Sequence, residues 1–307
     1  MKRDLLTIRD LSPEEIIRLI DKAEKMKTEL AAGTLSKSLE GKIVGLIFVK
    51  PSTRTRVSFE AAVYRLGGQA IFMTGTDTQI SRHEPLADMA RVLARYIDAI
   101  VIRTFAHRDV EELSRFASIP VINALTDYSH PCQVLADLMT VREKRGSFEK
   151  LTVAWVGDGN NVANSWIDAA ARIGFSLNLA CPPGYEPEKE MLDWAAREGN
   201  GKIKLVADIK GAVSNADVLY TDVWASMGQE LEAQKRKKAF KDYQINSQVL
   251  EYAPSHAIVL HCLPAHRGEE ITEEVFESRR APIFDQAENR LHLQMALLDW
   301  LIGSEKL

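Results

Sequence analysis

Cysteine is scarce in this chain of 307 residues: only Cys132, Cys181 and Cys262, far apart from one another. An odd count at such spacing argues against a disulfide framework and against a CxxC metal site. Long apolar runs are missing as well. No uncharged stretch approaches the roughly 18 residues that a membrane span requires. The opening MKRDLLTIRDLSPEE interleaves charge with apolar residues and lacks an apolar h-region, so no secretory signal is expected. Positive charge is not in surplus either. The formal net charge is -4, which gives no global field to draw in nucleic acid or an anionic membrane. Low-complexity segments and clear internal repeats are absent. These absences together predict a cytoplasmic protein with reduced thiols and no metal.

What is present is a chain long enough for two domains, with 46% hydrophobic residues to build their cores. Short β-rich runs alternate with amphipathic stretches, the pattern of a parallel α/β sheet. In the first half a helix at Pro13–Leu30 leads to a strand at Ile43–Val49 and a helix from about Thr55. Leu86, Met89, Ala90, Leu93 and Ala94 fall on one helical face. They feed strands at Ala99–Ile102 and Pro120–Asn123. His130-Pro131 then opens a helix that ends near Lys144–Gly146, and the domain junction is expected there. The second half has strands at Leu151–Val156, Ser176–Ala180, Ile203–Val206, Val218–Thr221 and Ala257–Leu260, with a helix through Ile173 and a last one at Leu291–Leu301. The expectation is an α/β protein of two domains, each a parallel β-sheet flanked by helices, with the active site in the cleft between them. The boundaries are 1–146 and 147–290, with 291–307 packing back on the first domain.

Ligands of open parallel sheets sit beyond the carboxyl ends of the strands. Polar residues gather at those ends: Ser52 to Arg56, Arg103, Asn160 and Asn161, Asp222, and His261-Cys262. The run Lys50-Pro51-Ser52-Thr53-Arg54-Thr55-Arg56 stands between a strand and a helix. Free N–H groups and the partial positive charge of a helix N-terminus suit a phosphate, and an arginine can clamp its oxygens. An ordinary Ser/Thr cap with solvated arginines would leave the same pattern. His130 and Gln133 lie one turn apart and point the same way. Gly157-Asp158-Gly159-Asn160-Asn161-Val162 imitates a dinucleotide fingerprint, but Val162 replaces the third glycine and the next strand ends in Cys181-Pro182-Pro183 without the ribose-binding acid. No cofactor is expected.

S-T-R-T-R at 52–56 with H-P-C-Q at 130–133 resembles the aspartate/ornithine carbamoyltransferase family. Ile102-Arg103, Gly157–Asn161, Asp222-Val-Trp-Ala-Ser226-Met227-Gly228, His261-Cys262-Leu263-Pro264 and Ala287-Glu288-Asn289-Arg290 agree with its ornithine branch, so the resemblance spans the chain. It implies transfer of the carbamoyl group of carbamoyl phosphate to the δ-amine of L-ornithine, giving citrulline and phosphate. It also implies a homotrimer with shared active sites and a role in arginine biosynthesis. By the same resemblance, Ser52, Thr53, Arg54 and Thr55 bind the phosphate, and Arg103, His130 and Thr55 face the carbamoyl oxygen. Gln133 and the Leu263 carbonyl hold the NH2 group beside Cys262 and Arg290. Gln79 comes from a neighbouring subunit, and Asn161, Asp222, Ser226 and Met227 bind ornithine. Arg56 is read as structural.

The loop after Thr221 separates the branches. One acid, Asp222, among neutral donors suits an ammonium-bearing amino acid, whereas a dicarboxylic substrate calls for several cations. The lysine of the aspartate branch is missing from Gln79–Leu86, where Arg82 and His83 stand instead. Arg103, His130, Asp222 and Cys262 are the expected catalytic residues. Cys262 is not needed as a nucleophile, because an amine can attack the carbamoyl carbon directly. Either Cys262 or a phosphate oxygen qualifies to take the amine proton. Putrescine and acetylornithine are alternative acceptors. A nicotinamide dehydrogenase and a ligand-binding regulator are the competing classes.

Overall fold

The Ser12 hydroxyl accepts from the Glu15 N–H at 3.2 Å while the Glu15 carboxylate accepts from the Ser12 N–H at 2.9 Å, and Pro13 follows as the first helical residue. This reciprocal cap starts α1 (Pro13–Ala31), whose Ile16, Leu19, Ile20, Ala23 and Met26 form its buried stripe. The computed structural model describes residues 2–75, 84–225 and 230–303. Contacts divide the chain into two units, Met1–Met139 with Asn289–Leu307, and Thr140–Glu288.

In the first unit α1 precedes β1 (Ile43–Phe48), α2 (Thr53–Arg65), β2 (Gln69–Thr74), α3 (Leu86–Leu93), β3 (Ala99–Arg103), α4 (His107–Phe116) and β4 (Val121–Leu125). The four strands pair in the order β2-β1-β3-β4, all parallel. Every residue of β3 and β4 is buried, as expected when helices cover both faces of a parallel sheet. The outer edge of β4 is closed by the N-terminal segment: Leu5 donates to the Val121 carbonyl at 3.0 Å and accepts from the Asn123 N–H at 2.8 Å. β2, absent from the sequence reading although residues 70–73 form an apolar run, is the half-exposed edge strand on the other side.

Helix α5 (Pro131–Arg145) carries the chain from the first unit into the second. There follow β5 (Thr152–Val156), α6 (Asn161–Ile173), β6 (Ser176–Ala180), α7 (Lys189–Glu198), β7 (Lys202–Leu205), α8 (Ile209–Val213), β8 (Val218–Thr221), α9 (Ala233–Ala239), α10 (Ser247–Tyr252), β9 (Ile258–His261), α11 (Glu273–Phe276) and α12 (Ile283–Ile302). The second sheet is parallel throughout, in the order β7-β6-β5-β8-β9. Its core joins Ala154, Val156, Leu219 and Val259 of the sheet to Ile245, Ile271, Val275 and Ile283. α12 begins eight residues before the expected Leu291. Its early turns bury polar Gln286, Asn289 and Arg290, and these break the apolar periodicity by which helices are found.

The strand order positions the ligand-bearing loops. Each sheet has a switch point where successive crossovers leave in opposite directions, between β1 and β3 in one and between β5 and β8 in the other. Crevices at the carboxyl ends of such strands are where open α/β sheets bind ligands.

Candidate active site

The first switch point is built around the N-terminus of α2. Ser52 is its N-cap, accepting from the Thr55 N–H at 3.3 Å, so Thr53 and Arg54 stand in the first, donor-rich turn. Thr53 and Arg54 are exposed, whereas Thr55 is buried. An open hollow of about 880 Å³ adjoins this turn, lined by Ser52, Thr53, Arg56, Val57, Phe72 and Gly75 among others. Arg56 borders the same hollow, but its guanidinium is held by neighbouring side chains. Its guanidinium is 3.6 Å from the centre of the Phe72 ring and pairs with Glu60 at 2.9 Å, consistent with a structural part.

Beside this turn the unit collects charge it can scarcely hydrate. Arg103 ends β3 and is 6% exposed, His130 precedes α5 at 4%, and Arg290 of α12 is at 5%. Arg290 donates to the Thr55 hydroxyl at 2.7 Å. Burial drives the His130 imidazole well below its ordinary pKa, and the charges of Arg290, Arg103 and Lys50 push it the same way. His130 is therefore a neutral ring at neutral pH. It can offer one N–H to an oxygen that gains negative charge, with the cations supplied by its neighbours. Gln133, 1% exposed, donates through Nε2 to Asp137 at 2.8 Å. Cys132 points elsewhere, its thiol 3.4 Å from the Asn123 carbonyl, and burial raises its pKa to about 12.

The second switch point is built around Asp222, just past β8. Its Oδ2 accepts from Asn160 Nδ2 at 2.7 Å, while its Oδ1 accepts from the Val223 N–H at 2.8 Å and from the Cys262 thiol at 3.0 Å. Three strand-end loops, after β5, β8 and β9, thus converge on one carboxylate. Asn160 also caps α6, its Oδ1 accepting from the Val162 and Ala163 N–H groups at 2.9 and 3.1 Å. Those are donors a dinucleotide pyrophosphate would use. Gly159 serves local packing, since a Cβ there would meet the Pro187 nitrogen at 2.2 Å. Asp158 of this loop pairs with Arg236 at 3.0 Å, and burial raises its pKa to about 6. The same guanidinium donates to the Trp224 carbonyl at 2.9 Å, tying the loops after β5 and β8 together.

Asp222, His261 and Cys262 bring potential metal ligands within 4.8 Å of one another. Both nitrogens of His261 are engaged, however. Nδ1 accepts from the Leu263 N–H at 2.9 Å, which leaves Nε2 to carry the proton toward buried Glu270, also at 2.9 Å. His261 and Glu270 thus hold the backbone at Leu263, where φ is +62°, while Cys262 bonds separately to Asp222.

Ser52, Thr53, Arg54, Thr55, Arg103, His130, Gln133 and Arg290 fall in the first unit, and Asn161, Asp222, Cys262 and Leu263 in the second. Gln79, Ser226 and Met227 lie outside the described residues. The sequence reading did not anticipate Asp137, Glu270 or the part Asn160 plays at Asp222. Only Asp137 left a trace in the sequence, at helical i,i+4 spacing from Gln133.

Comparison with known proteins decides the family. Residues 3–143 match the carbamoyl-P binding domain of aspartate/ornithine carbamoyltransferases, and residues 149–301 match their Asp/Orn binding domain. The chain belongs to the aspartate/ornithine carbamoyltransferase family. The ornithine carbamoyltransferase of Desulfotalea psychrophila is 55% identical over 303 residues, covering 99% of this chain and 100% of that protein. An ornithine carbamoyltransferase of Pyrococcus furiosus named as anabolic is 48% identical over 307 residues, covering 99% of this chain and 98% of its own length. The solved structure of ornithine carbamoyltransferase from Pyrococcus furiosus superimposes with a TM-score of 0.95 at 48% identity, covering 99% of this chain and 98% of that one. No described helix is long and apolar enough to cross a membrane.

Proposed function

We propose that the chain transfers the carbamoyl group of carbamoyl phosphate to the δ-amine of L-ornithine, releasing citrulline and phosphate. The observation that carries this reading is the carboxylate of Asp222, oriented by Asn160 and Cys262 at the switch point of a family-matched acceptor domain. One oriented acid among neutral donors fits an acceptor that brings ammonium groups. The boundaries read from the sequence, 1–146 with 291–307 for the donor domain and 147–290 for the acceptor domain, stand beside contact divisions at 139/140 and 288/289, which put Arg290 with the donor residues.

In the reaction, the α2 N-terminus with Ser52, Thr53, Arg54 and Thr55 takes the phosphate. Arg103, His130 and Thr55 surround the carbamoyl oxygen, and Arg290 steadies Thr55. Gln133 and the Leu263 carbonyl receive the NH2 group, with Cys262 beside it and Gln79 of a neighbouring subunit completing the phosphate site. Asn161, Asp222, Ser226 and Met227 hold ornithine. The neutral amine nitrogen attacks the carbamoyl carbon and the oxygen takes the charge; as the tetrahedral intermediate collapses the C–O bond to phosphate breaks, and a phosphate oxygen takes the amine proton. A lysine-like amine, with a pKa near 10.4, is neutral in only about one molecule in 2,500 at pH 7, a cost of about 4.6 kcal/mol. Desolvation beside the arginines lowers that cost, whereas Asp222 raises it. Asp222 therefore serves best as an anchor, or as an acceptor once the amine is neutral.

The reading includes a cytoplasmic homotrimer acting in arginine biosynthesis. Val57, Tyr64 and Ile71, 56%, 76% and 46% exposed on α2 and β2, support a face that other copies of the chain cover. The test is a ureido end-point assay with carbamoyl phosphate and ornithine, acetylornithine, putrescine or aspartate in parallel. Citrulline from ornithine alone is expected. Turnover of only another amine overturns the acceptor assignment, and no ureido product from any of them overturns the enzyme.

A further inference from the structure

We propose that Asp137 is a positioning residue that fixes the amide of Gln133 so that the donor site reads the NH2 group of carbamoyl phosphate. This rests on the donor-site reading above. An amide side chain has two faces of nearly equal shape, one a donor pair and one an acceptor, and a half-turn exchanges them. Gln133 is 1% exposed, so water does little to choose between the two. Asp137, one helical turn later and fully buried, makes the choice. A carboxylate only accepts, so it must face Nε2, and it does so at 2.8 Å. Oε1 is then left as a buried acceptor with no hydrogen-bond partner among the described residues. A buried acceptor in that state is costly until a donor arrives.

The donor that matches it is an N–H. Carbamoyl phosphate carries two on its nitrogen, whereas acetyl phosphate has a methyl group at the same place. A site built to bond an N–H rejects the analogue lacking it, because its own polar group stays unpaired. With the amide reversed, Nε2 would confront the substrate NH2, donor against donor. Asp137 thereby sets specificity for the acyl group without needing to touch it.

The test uses the full chain, with KM for carbamoyl phosphate and ornithine and competitive Ki values for acetyl phosphate and inorganic phosphate. Asp137→Asn, nearly isosteric, allows both amide orientations. It is expected to raise KM for carbamoyl phosphate about tenfold or more, the scale of a lost buried hydrogen bond. Both Ki values should stay within about twofold, since phosphate contacts are untouched. In a Gln133→Ala background, Asp137→Asn should add nothing. Gln133→Glu sets two acids together and should impair binding. Adding Asp137→Asn should restore it, because the amide introduced at position 137 can donate and leave one carboxylate oxygen as acceptor. An unchanged KM for Asp137→Asn, a parallel rise in both Ki values, undiminished loss in the Gln133→Ala background, or no recovery in the double variant would each overturn the proposal. If Asp137→Asn lowers thermal stability, the recovery arm still decides. A wild-type chain that binds carbamoyl phosphate yet carbamoylates no ornithine would refute the proposed reaction alone, leaving the acyl-group comparison readable by equilibrium binding.

Discussion

Arg290 donates to the hydroxyl of Thr55 at 2.7 Å although 235 residues separate them in sequence. The bond links the last long helix to the first turn of α2 and directs one guanidinium arm at a residue expected to face the carbamoyl oxygen. Arg290→Gln shortens the arm and removes the charge. It should raise KM for carbamoyl phosphate at least about tenfold, with a smaller change in KM for ornithine, because a charge-assisted bond contributes about 1.5–3 kcal/mol. Steady-state kinetics with each substrate varied in turn would check this, and equal changes in both constants would refute it.

Arg103 and His130 are expected to stabilise the charge that develops on the same oxygen. Arg103→Ala or His130→Ala should lower kcat by about 10²–10³, or roughly 2.7–4 kcal/mol, with the far-ultraviolet dichroism of the wild type retained. Activity within about threefold of wild type in either variant would remove that residue from the mechanism.

The burial of His130 has a consequence for stability. Its folded pKa lies well below the ordinary 6.5, so above that value the ring is neutral in both folded and unfolded states. As pH falls below 6.5 the unfolded state binds the proton first, and the folded state loses up to about 1.4 kcal/mol per pH unit until the folded pKa is reached. His130→Gln removes this part of the acid sensitivity. Urea midpoints at pH 7.5 and 5.5 should therefore fall less for the variant than for wild type. An identical fall in both would show that His130 is not buried as a neutral ring.

Asn160 has two separable duties, capping α6 and orienting Asp222. Asn160→Asp keeps a good cap but sets a second carboxylate against Asp222. It should leave the melting temperature within a few degrees while raising KM for ornithine about tenfold or more. Asn160→Ala should also lose about 0.5–2 kcal/mol of stability. The contrast between the two variants, read by calorimetry and kinetics together, is the check. Equal stability losses would mean that the cap role is not separable.

Cys262 donates to Asp222 and needs no covalent part in the reaction. Cys262→Ser preserves a donor at that place and should keep turnover within about tenfold, the scale of one altered hydrogen bond. Complete loss would point to a covalent role. Thiol labelling of the native protein should find Cys262, which is partly exposed, before Cys132 or Cys181, whose thiols burial holds protonated.

Local signals carry much of this protein. The cap at Ser12 and Glu15, the strand–helix alternation, the donor-rich start of α2 and the His130/Gln133 pair are properties of neighbouring residues, so the sequence by itself determines them. Spacing also rejects the dinucleotide reading at Val162. Where local signals fail at α12, the cause is physical: buried polar residues conceal its start. Long-range partners needed the tertiary structure. Asn160 meets Asp222, and Asp222 meets Cys262, because β5, β8 and β9 lie side by side in the sheet, an order no single segment encodes. His130 shows the division most plainly. Its place before a helix start is written in the sequence, but its neutral state comes from burial and from Arg103 and Arg290, which only the fold brings near.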